Sequence, residues 1–225
     1  MDSHDKIYSA YIGEMGETFQ KATIERINWI TDKIAFGQRV LDVGCSQGII
    51  TILAAEKSGY ACGIDINIEA VSYADRLLEE KYSQQKECVE FLCEDFLTKD
   101  FPETYDIILL TEVLEHLSEP RKFLEKAKKL LNKDGKVVIT VPYGINDHPD
   151  HVNTFYFTNI VNLFDNLFCI NQIDYQGRWM GIVASFSEGS FDLKETLARF
   201  EENVYAIDRQ MTDRIKELYN TVAIG

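Results

Sequence analysis

The pattern that most constrains the fold is an alternation of short apolar runs with helical segments, beginning at Arg39. The runs RVLDVG, ACGIDI, VEFLCED, YDIILLTE and GKVVITVP are rich in β-forming residues. Helical patterns cover residues 48–58 and 68–82 and the charged segment PRKFLEKAKKLL. This order predicts repeated strand–helix–strand units. Because the first, fourth and fifth runs are nearly all apolar, we expect parallel strands with helices on both faces.

Two later runs predict how the sheet ends. FCINQIDY and MGIVASFS follow a helical pattern over 158–166 and flank a turn at Gln176, Gly177 and Arg178. A short turn between two such runs is typical of an antiparallel hairpin. The predicted fold is therefore α/β: a doubly wound, Rossmann-like, seven-stranded mixed sheet with a C-terminal antiparallel hairpin, followed by a long C-terminal helix.

Helical spacing of apolar residues marks both ends of the chain. It predicts an N-terminal helical cap over residues 1–36, a main domain over 37–188 and a C-terminal helix over 189–225. In the last segment apolar residues recur at steps of four and three, at Leu193, Leu197, Phe200, Val204, Ile207, Met211, Ile215, Leu218 and Val222. This near-heptad spacing leaves two alternatives open. The helix lies back on the domain, or it forms a coiled coil that oligomerises or joins another domain.

Charge and cysteine content narrow the range of partners. The formal net charge of −14 disfavours nucleic acid, whose phosphates are bound by clustered Lys and Arg. Five scattered cysteines without a CxxC pair suit neither a disulfide framework nor a zinc knuckle. No apolar run is long enough to span a bilayer, and the first residues lack a signal-peptide pattern. We therefore expect a cytoplasmic protein that acts on a small molecule, without a membrane partner.

A glycine-rich turn follows the first strand. Residues 41–48 read LDVGCSQG and lead from a buried strand into a helix. Glycine lets the backbone approach a ligand closely, and the free N–H groups of a helix start attract a carboxylate or phosphate. Asp65 ends the second strand about twenty residues later, where an acidic side chain can accept hydrogen bonds from ribose hydroxyls. Together, these two signals predict a nucleotide-type cofactor.

These residues resemble the first motif of the class I S-adenosylmethionine-dependent methyltransferases, LDVGCGxG, with Ser46 in place of the middle glycine. The resemblance runs from about residue 38 to 187 and includes CEDF, where Asp95 ends the third strand. It implies S-adenosylmethionine as cofactor, with its ribose on Asp65 and its adenine against Ile66 and Asp95. The other residues predicted to bind it are Asp42, Gly44, Cys45, Ser46, Gly48, Phe96 and Thr111. A dehydrogenase has a similar glycine turn, but the closing hairpin and the CED strand end favour the methyltransferase.

Candidate reacting groups follow the fourth and fifth strands, since the carboxyl ends of strands form the ligand edge of an open α/β sheet. His116 is the natural base for a hydroxyl acceptor because the ordinary pKa of histidine is about 6.5. His151 is the second candidate catalytic residue. Aromatic residues at 143 and 155–157 are candidates for lining the acceptor pocket, although we expect no more than two of them to touch the acceptor.

The same region also predicts a metal site. Glu112, Glu115, His116 and His151 offer the mixed oxygen and nitrogen ligands that suit Mg²⁺ or Mn²⁺. The cluster resembles those of the small-RNA 2′-O-methyltransferases, which place such an ion on these residues, and of the O-methyltransferases of ubiquinone biosynthesis. EVLEHL is also widespread in family members with no known metal. The alternative is that the glutamates are local hydrogen-bonding groups and His116 acts alone.

The function predicted from sequence is O-methylation of a small polyhydroxylated acceptor, such as a sugar or glycan precursor. RNA 2′-O-methylation is an alternative motivated by the acid–histidine cluster and opposed by the negative charge. A non-catalytic cofactor-binding subunit that assembles through the C-terminal helix is a third possibility. The intact glycine turn and Asp65 oppose it.

Overall fold

The computed structural model describes residues 6–145, 148–187 and 192–223, without the side chains of 193 and 217–223. Its described part contains a seven-stranded sheet in the order β3-β2-β1-β4-β5-β7-β6. Pairing is parallel from β3 through to β5, and β7 is antiparallel to both of its neighbours. The strands are β1 (Val40–Val43), β2 (Ala61–Asp65), β3 (Val89–Cys93), β4 (Tyr105–Thr111), β5 (Leu131–Pro142), β6 (Cys169–Gln176) and β7 (Trp179–Ser185).

Helices cover the sheet and extend beyond it. They are α1 (Ile7–Tyr11), α2 (Glu17–Thr31), α3 (Ile49–Ser58), α4 (Ile68–Lys81), α5 (Pro120–Leu130), α6 (Phe157–Phe164) and α7 (Leu193–Ala223). The predicted fold class is confirmed, including the hairpin and the long last helix. Every residue of β1 is buried, as expected for a central strand covered on both faces.

The fifth strand begins earlier than the sequence predicts. Leu131 already pairs with Tyr105, whereas regular pairing with β4 resumes only at Lys136, opposite Ile107. The intervening residues 132–135 bulge out of the ladder, and the predicted run GKVVITVP begins only at the last of them.

The N-terminal cap packs against the ligand edge of the sheet. The backbone N–H of Tyr8 in α1 donates to the side chain of Gln47 in the glycine turn, at 2.9 Å. The indole N–H of Trp29 in α2 donates to Asp174 of β6, at 2.8 Å. These contacts fasten the cap to both halves of the sheet.

The first part of α7 lies back on the domain. The ring of Phe200 packs against Tyr143 and Tyr175, at centroid distances of 5.4 and 5.0 Å. Further along the helix, Met211 and Ile215 are exposed. The start of α7 therefore lies back on the domain, as the first of the two alternatives predicts. The coiled coil stays a prediction. Across the described residues, no helix combines the length and apolar character needed to cross a membrane.

Candidate active site

The glycine turn after β1 is built from left-handed backbone conformations. Gly44, Ser46 and Gly48 have φ angles of 74°, 46° and 78°. A Cβ atom at Gly48 would lie 2.5 Å from the ring of Phe91 and 2.6 Å from Ala74. Glycine is therefore required at 48 for both its backbone conformation and its close packing.

Asp65 holds this turn in place from the end of β2. One of its carboxylate oxygens accepts from the backbone N–H of Ser46 at 2.9 Å, and the other accepts from that of Asn67 at 2.8 Å. Asn67 in turn caps α4 with its side chain. The carboxylate is thus fixed at the mouth of the turn, where the sequence predicts the ribose.

A cleft of about 940 Å³, the cofactor cleft, opens along the carboxyl ends of β1, β2 and β3. Six of the predicted cofactor residues line it: Gly44, Ser46, Asp65, Ile66, Asp95 and Phe96. Ile66 is 75% exposed, so its side chain offers an apolar surface to a flat ring. Fixed acids at two strand ends and an apolar platform between them fit an adenosine.

A second cavity of about 380 Å³, the cap cavity, lies between the N-terminal cap and the ends of β4 and β5. Asp42, Cys45 and Thr111 line this cavity rather than the cofactor cleft. Gly48 is absent from the described lining of both, because it faces Phe91 and Ala74. Because Asp42, Cys45 and Thr111 are predicted to bind the cofactor, the reacting end of a cofactor in the cleft would reach into the cap cavity.

The two cavities share four lining residues, Gly44, Ser46, Glu112 and His116. This shared border is where groups from a cofactor and from a second ligand can meet. Of the predicted reacting residues, His116 lies on the border itself, and His151 lines the cap cavity beside it.

An acid–histidine cluster lies against this border. Ligand atoms of Glu115, His116 and His151 all lie within 4.8 Å of one another. The loop after β5 brings His151 there, because the backbone N–H groups of Val152 and Asn153 donate to the carbonyl of Glu115, at 2.9 and 3.1 Å. The structure thus joins residues that are well separated in the sequence.

Three buried atoms of the cluster have no hydrogen-bond partner among the described residues. Glu115 is 1% exposed, yet neither its carboxylate oxygens nor Nδ1 of His151 have a hydrogen-bond partner in the described part of the chain. Burial, together with the nearby Glu112, raises the pKa of Glu115 to about 9. Burial and the neighbouring His116 and His148 lower the pKa of His151. Buried ligand atoms of this kind fit a divalent cation.

His116 is oriented by the loop after β5. Its Nδ1 lies 3.0 Å from the backbone carbonyl of Asp150, which can only accept a hydrogen bond. We therefore assign the proton to Nδ1, which leaves a lone pair on Nε2. The free Nε2 can either accept a proton or bind a metal ion.

Glu112 lies near the acid–histidine cluster but pairs with an arginine instead of joining it. Its backbone has a φ angle of 56°, and its carboxylate lies 2.9 Å from the guanidinium of Arg26 in α2. The structure thus brings three of the four predicted metal ligands together and pairs the fourth with a cation. Arg26 is not predicted from the sequence, since an arginine on an amphipathic helix carries no local signal for an active site.

Asp42 lies beneath the turn and is almost completely buried. One of its oxygens accepts from the hydroxyl of Thr51 at 2.7 Å, and the other lacks a partner among the described residues. Burial raises the pKa of Asp42 to about 7. Burial also raises the pKa of the adjacent Cys45 thiol, so this cysteine stays protonated at neutral pH.

A family model described as a methyltransferase domain matches residues 35–185 of the chain, which is more than half of its length. The chain belongs to this methyltransferase-domain family. The predicted resemblance to class I S-adenosylmethionine-dependent methyltransferases is thereby confirmed.

Individual relatives agree with this assignment. A ubiquinone biosynthesis O-methyltransferase of Aeromonas salmonicida is 32% identical over 126 residues, covering 55% of this chain and 51% of that protein. The chain thus spans about half the length of the curated relatives it matches. Among crystal structures, a SAM-dependent methyltransferase from Aquifex aeolicus shares the fold with a TM-score of 0.60 and 22% identity, covering 70% of this chain and 88% of the other.

A further crystal structure contains the product form of the cofactor. Coclaurine N-methyltransferase bound to N-methylheliamine and SAH has a TM-score of 0.59 and 21% identity to this chain. The alignment covers 72% of this chain and 53% of that one. At this level of identity the likeness establishes the shared fold.

Proposed function

We propose that the chain transfers a methyl group from S-adenosylmethionine to a hydroxyl oxygen of a small polyhydroxylated acceptor, such as a sugar or glycan precursor. The observation that carries this proposal is the shared border of the two cavities, where His116 faces both of them. In this proposal the cofactor cleft holds the adenosine of the cofactor, and the cap cavity holds its reacting end together with the acceptor.

S-adenosylmethionine, when bound, supplies an electrophilic methyl group on a sulfonium. The residues of the chain then have two tasks. The glycine turn and Asp65 hold the cofactor while the cap cavity holds the acceptor, and such alignment can contribute about 7–11 kcal/mol to lowering the barrier. His116 takes the proton of the acceptor hydroxyl on Nε2, and a positioned base contributes about 10²–10⁴-fold. Positioning is therefore the larger effect.

As the alternative to a histidine base, we propose that Glu115, His116 and His151 hold a divalent cation, Mg²⁺ or Mn²⁺. The orphaned oxygens of Glu115 and the orphaned nitrogen of His151 support this site. The cation, when bound, would acidify a hydroxyl in its coordination shell. Nε2 of His116 would then serve as a ligand rather than as a base, so the two arrangements are mutually exclusive.

The name of the ubiquinone biosynthesis relative supports oxygen as the acceptor atom, and a coclaurine N-methyltransferase that is 30% identical over 131 residues makes nitrogen the alternative. RNA remains the less favoured acceptor, because the cap cavity of about 380 Å³ is small and the net charge is −14. A purely structural role is opposed by the cluster of orphaned reactive groups at the border.

The test is methyl transfer by the purified chain to a panel of sugars, phenols and amines, measured as S-adenosylhomocysteine formed and as product mass. We expect O-methylated products. His116→Ala should lower kcat by about 10²–10⁴-fold while leaving the Kd for the cofactor within a few-fold. Tight cofactor binding without transfer to any acceptor would overturn the proposal and favour a non-catalytic role.

A further inference from the structure

Lys126 of α5 reaches to the segment that follows β3. Its ammonium donates to the backbone carbonyls of Leu97, at 3.0 Å, and of Lys99. The same ammonium lies 5.8 and 5.6 Å from the ring centroids of Phe96 and Phe101, within the range of a favourable cation–π interaction. Two carbonyls and two aromatic rings of one short segment therefore contact this cation.

This segment presents two residues to the cofactor cleft, Asp95 and Phe96. Asp95 folds the segment into a turn. One oxygen of its carboxylate accepts from the backbone N–H of Leu97 at 2.8 Å. Its backbone carbonyl accepts from the N–H groups of Thr98 and Lys99, at 3.2 and 2.9 Å. The direction of the Asp95 carboxylate therefore depends on the shape of this turn.

The carbonyls that Lys126 binds belong to the same turn. Across the described residues, no backbone N–H donates to the carbonyl of Leu97 or of Lys99. Lys126 thus supplies their hydrogen bonds, and a bond from a charged donor is stronger than one between neutral groups. If this donor is removed, the carbonyls must be solvated again, and the turn is free to change shape.

Phe96 is held between the same two elements. It is almost completely buried and packs against Phe101, at a centroid distance of 5.9 Å, and against Phe123 of α5, at 5.4 Å. Phe123 also lines the cofactor cleft. Lys126 itself is absent from the described lining of both cavities. It therefore supports a wall of the cleft without facing a ligand.

The geometry assigns Lys126 as a positioning residue for the adenine end of the cofactor. It holds the turn in place, and the turn holds the carboxylate of Asp95 and the ring of Phe96 at the cleft. An ionised carboxylate can only accept hydrogen bonds, and the amino group of adenine is a donor. The inference rests on the part of the proposed function that places adenosine in the cofactor cleft, and it is independent of the acceptor.

The first experiment measures the Kd for S-adenosylhomocysteine by calorimetry. Lys126→Met keeps a side chain of similar length but removes the charge and the donors, so we expect the Kd to rise about tenfold. Lys126→Arg should restore most of the affinity, because a guanidinium can donate to both carbonyls. Lys122→Met is the matched control, since Lys122 lies on the same helix with its side chain 56% exposed and paired with Glu119. An unchanged Kd in Lys126→Met, or an equal rise in Lys122→Met, overturns the inference.

The second experiment distinguishes positioning of the adenine contact from a general structural role. S-inosylhomocysteine, which carries a carbonyl oxygen in place of the adenine amino group, is compared with S-adenosylhomocysteine. We expect the wild-type chain to bind S-adenosylhomocysteine about tenfold more tightly, because the inosine ligand offers Asp95 no amino group. In Lys126→Met this preference should fall to about twofold to threefold, because the carboxylate is no longer held in place. A merely structural role would weaken the binding of both ligands alike, and an unchanged preference therefore overturns the inference.

Lys126→Gln provides the same test if Lys126→Met does not fold. Its amide retains a donor for one carbonyl, so its preference should lie between those of the wild-type chain and Lys126→Met. A preference equal to that of the wild-type chain contradicts the inference, and so does a wild-type chain that binds both ligands equally. A wild-type chain that binds neither ligand overturns the proposed function, because the cofactor cleft then holds no adenosine.

Discussion

The guanidinium of Arg26 lies 2.9 Å from the carboxylate of Glu112 and so joins the N-terminal cap to the end of β4. Both side chains are largely buried, at 19% and 27% exposure. Nε of Arg26 and one oxygen of Glu112 have no other partner among the described residues. The pair therefore sets both the position of the cap and the charge at the border of the two cavities.

Arg26→Ala leaves the carboxylate of Glu112 partly buried without its cation. We expect the free energy of unfolding to fall by about 1–3 kcal/mol, because one member of a desolvated pair is left unpaired. The KM for the acceptor should rise as well, since the cap loses its contact with β4. Urea unfolding and steady-state kinetics measure the two effects, and Arg26→Lys should recover part of each.

Arg209→Ala is the matched control for this pair. Arg209 lies 3.4 Å from Asp213 on the surface of α7, with both side chains more than half exposed. Exposed pairs of this kind contribute about 0.5 kcal/mol or less. Equal losses of stability in the two variants would refute the importance of the Arg26–Glu112 pair.

The proposed cation site predicts a response to chelators. Turnover should be lost in EDTA and restored by Mn²⁺, and Glu115→Gln should abolish Mn²⁺ binding measured by calorimetry. Because the pKa of Glu115 is raised to about 9, its carboxyl carries a proton at pH 7 and must release it to bind a metal ion. The affinity for Mn²⁺ should therefore increase with pH.

The exposed Glu125 provides the control for that experiment, because Glu125→Gln makes the same replacement of a carboxyl group by an amide on the surface of α5. It should leave Mn²⁺ binding intact. Turnover that is insensitive to EDTA, together with no detectable Mn²⁺ binding, would reject the cation and leave His116 as the base.

The parts of this molecule that can be predicted from sequence are those that have a recognisable local pattern. The glycine turn, Asp65 and Asp95 are recognisable because each lies at or just after the end of a strand, and the ends of parallel strands meet at one edge of the sheet. Arg26 is not recognisable, since its role depends on a contact between the cap and a distant strand. An amphipathic helix gives the same pattern whether it covers a core or a cavity.

The predicted acceptor aromatics illustrate the same limit. Residues 143 and 155–157 are absent from the described lining of the cap cavity. Tyr143 instead packs against Tyr175 and Phe200, because the hairpin and α7 meet there. The sequence predicts that an aromatic side chain will be buried. Which residues bury it depends on tertiary packing, which a local pattern does not reveal.

The raised pKa of Asp42 predicts that the free energy of unfolding depends on pH. Its pKa is about 7 in the folded chain and close to 3.8 when unfolded, so the folded state binds more protons between these values. The free energy of unfolding should therefore fall as the pH rises from about 4 to 7, by on the order of 4 kcal/mol at most. Asp42→Asn keeps an acceptor for Thr51 and should flatten this dependence, as thermal midpoints at pH 5 and pH 8 would reveal. An equally steep fall in the variant would assign the effect to other groups.

A comparison of Gly48 with Gly37 distinguishes the stability cost of backbone strain from the cost of steric overlap. Both have positive φ angles, 78° and 85°, but a Cβ at Gly48 meets Phe91 and Ala74 whereas a Cβ at Gly37 meets nothing within 4 Å. Gly37→Ala should cost only the backbone term, about 1–2 kcal/mol. Gly48→Ala should cost about 2–4 kcal/mol, because overpacking is added, and should weaken cofactor binding by displacing the turn. Chemical denaturation and cofactor titration measure both effects, and equal losses in the two variants would contradict the packing role assigned to Gly48.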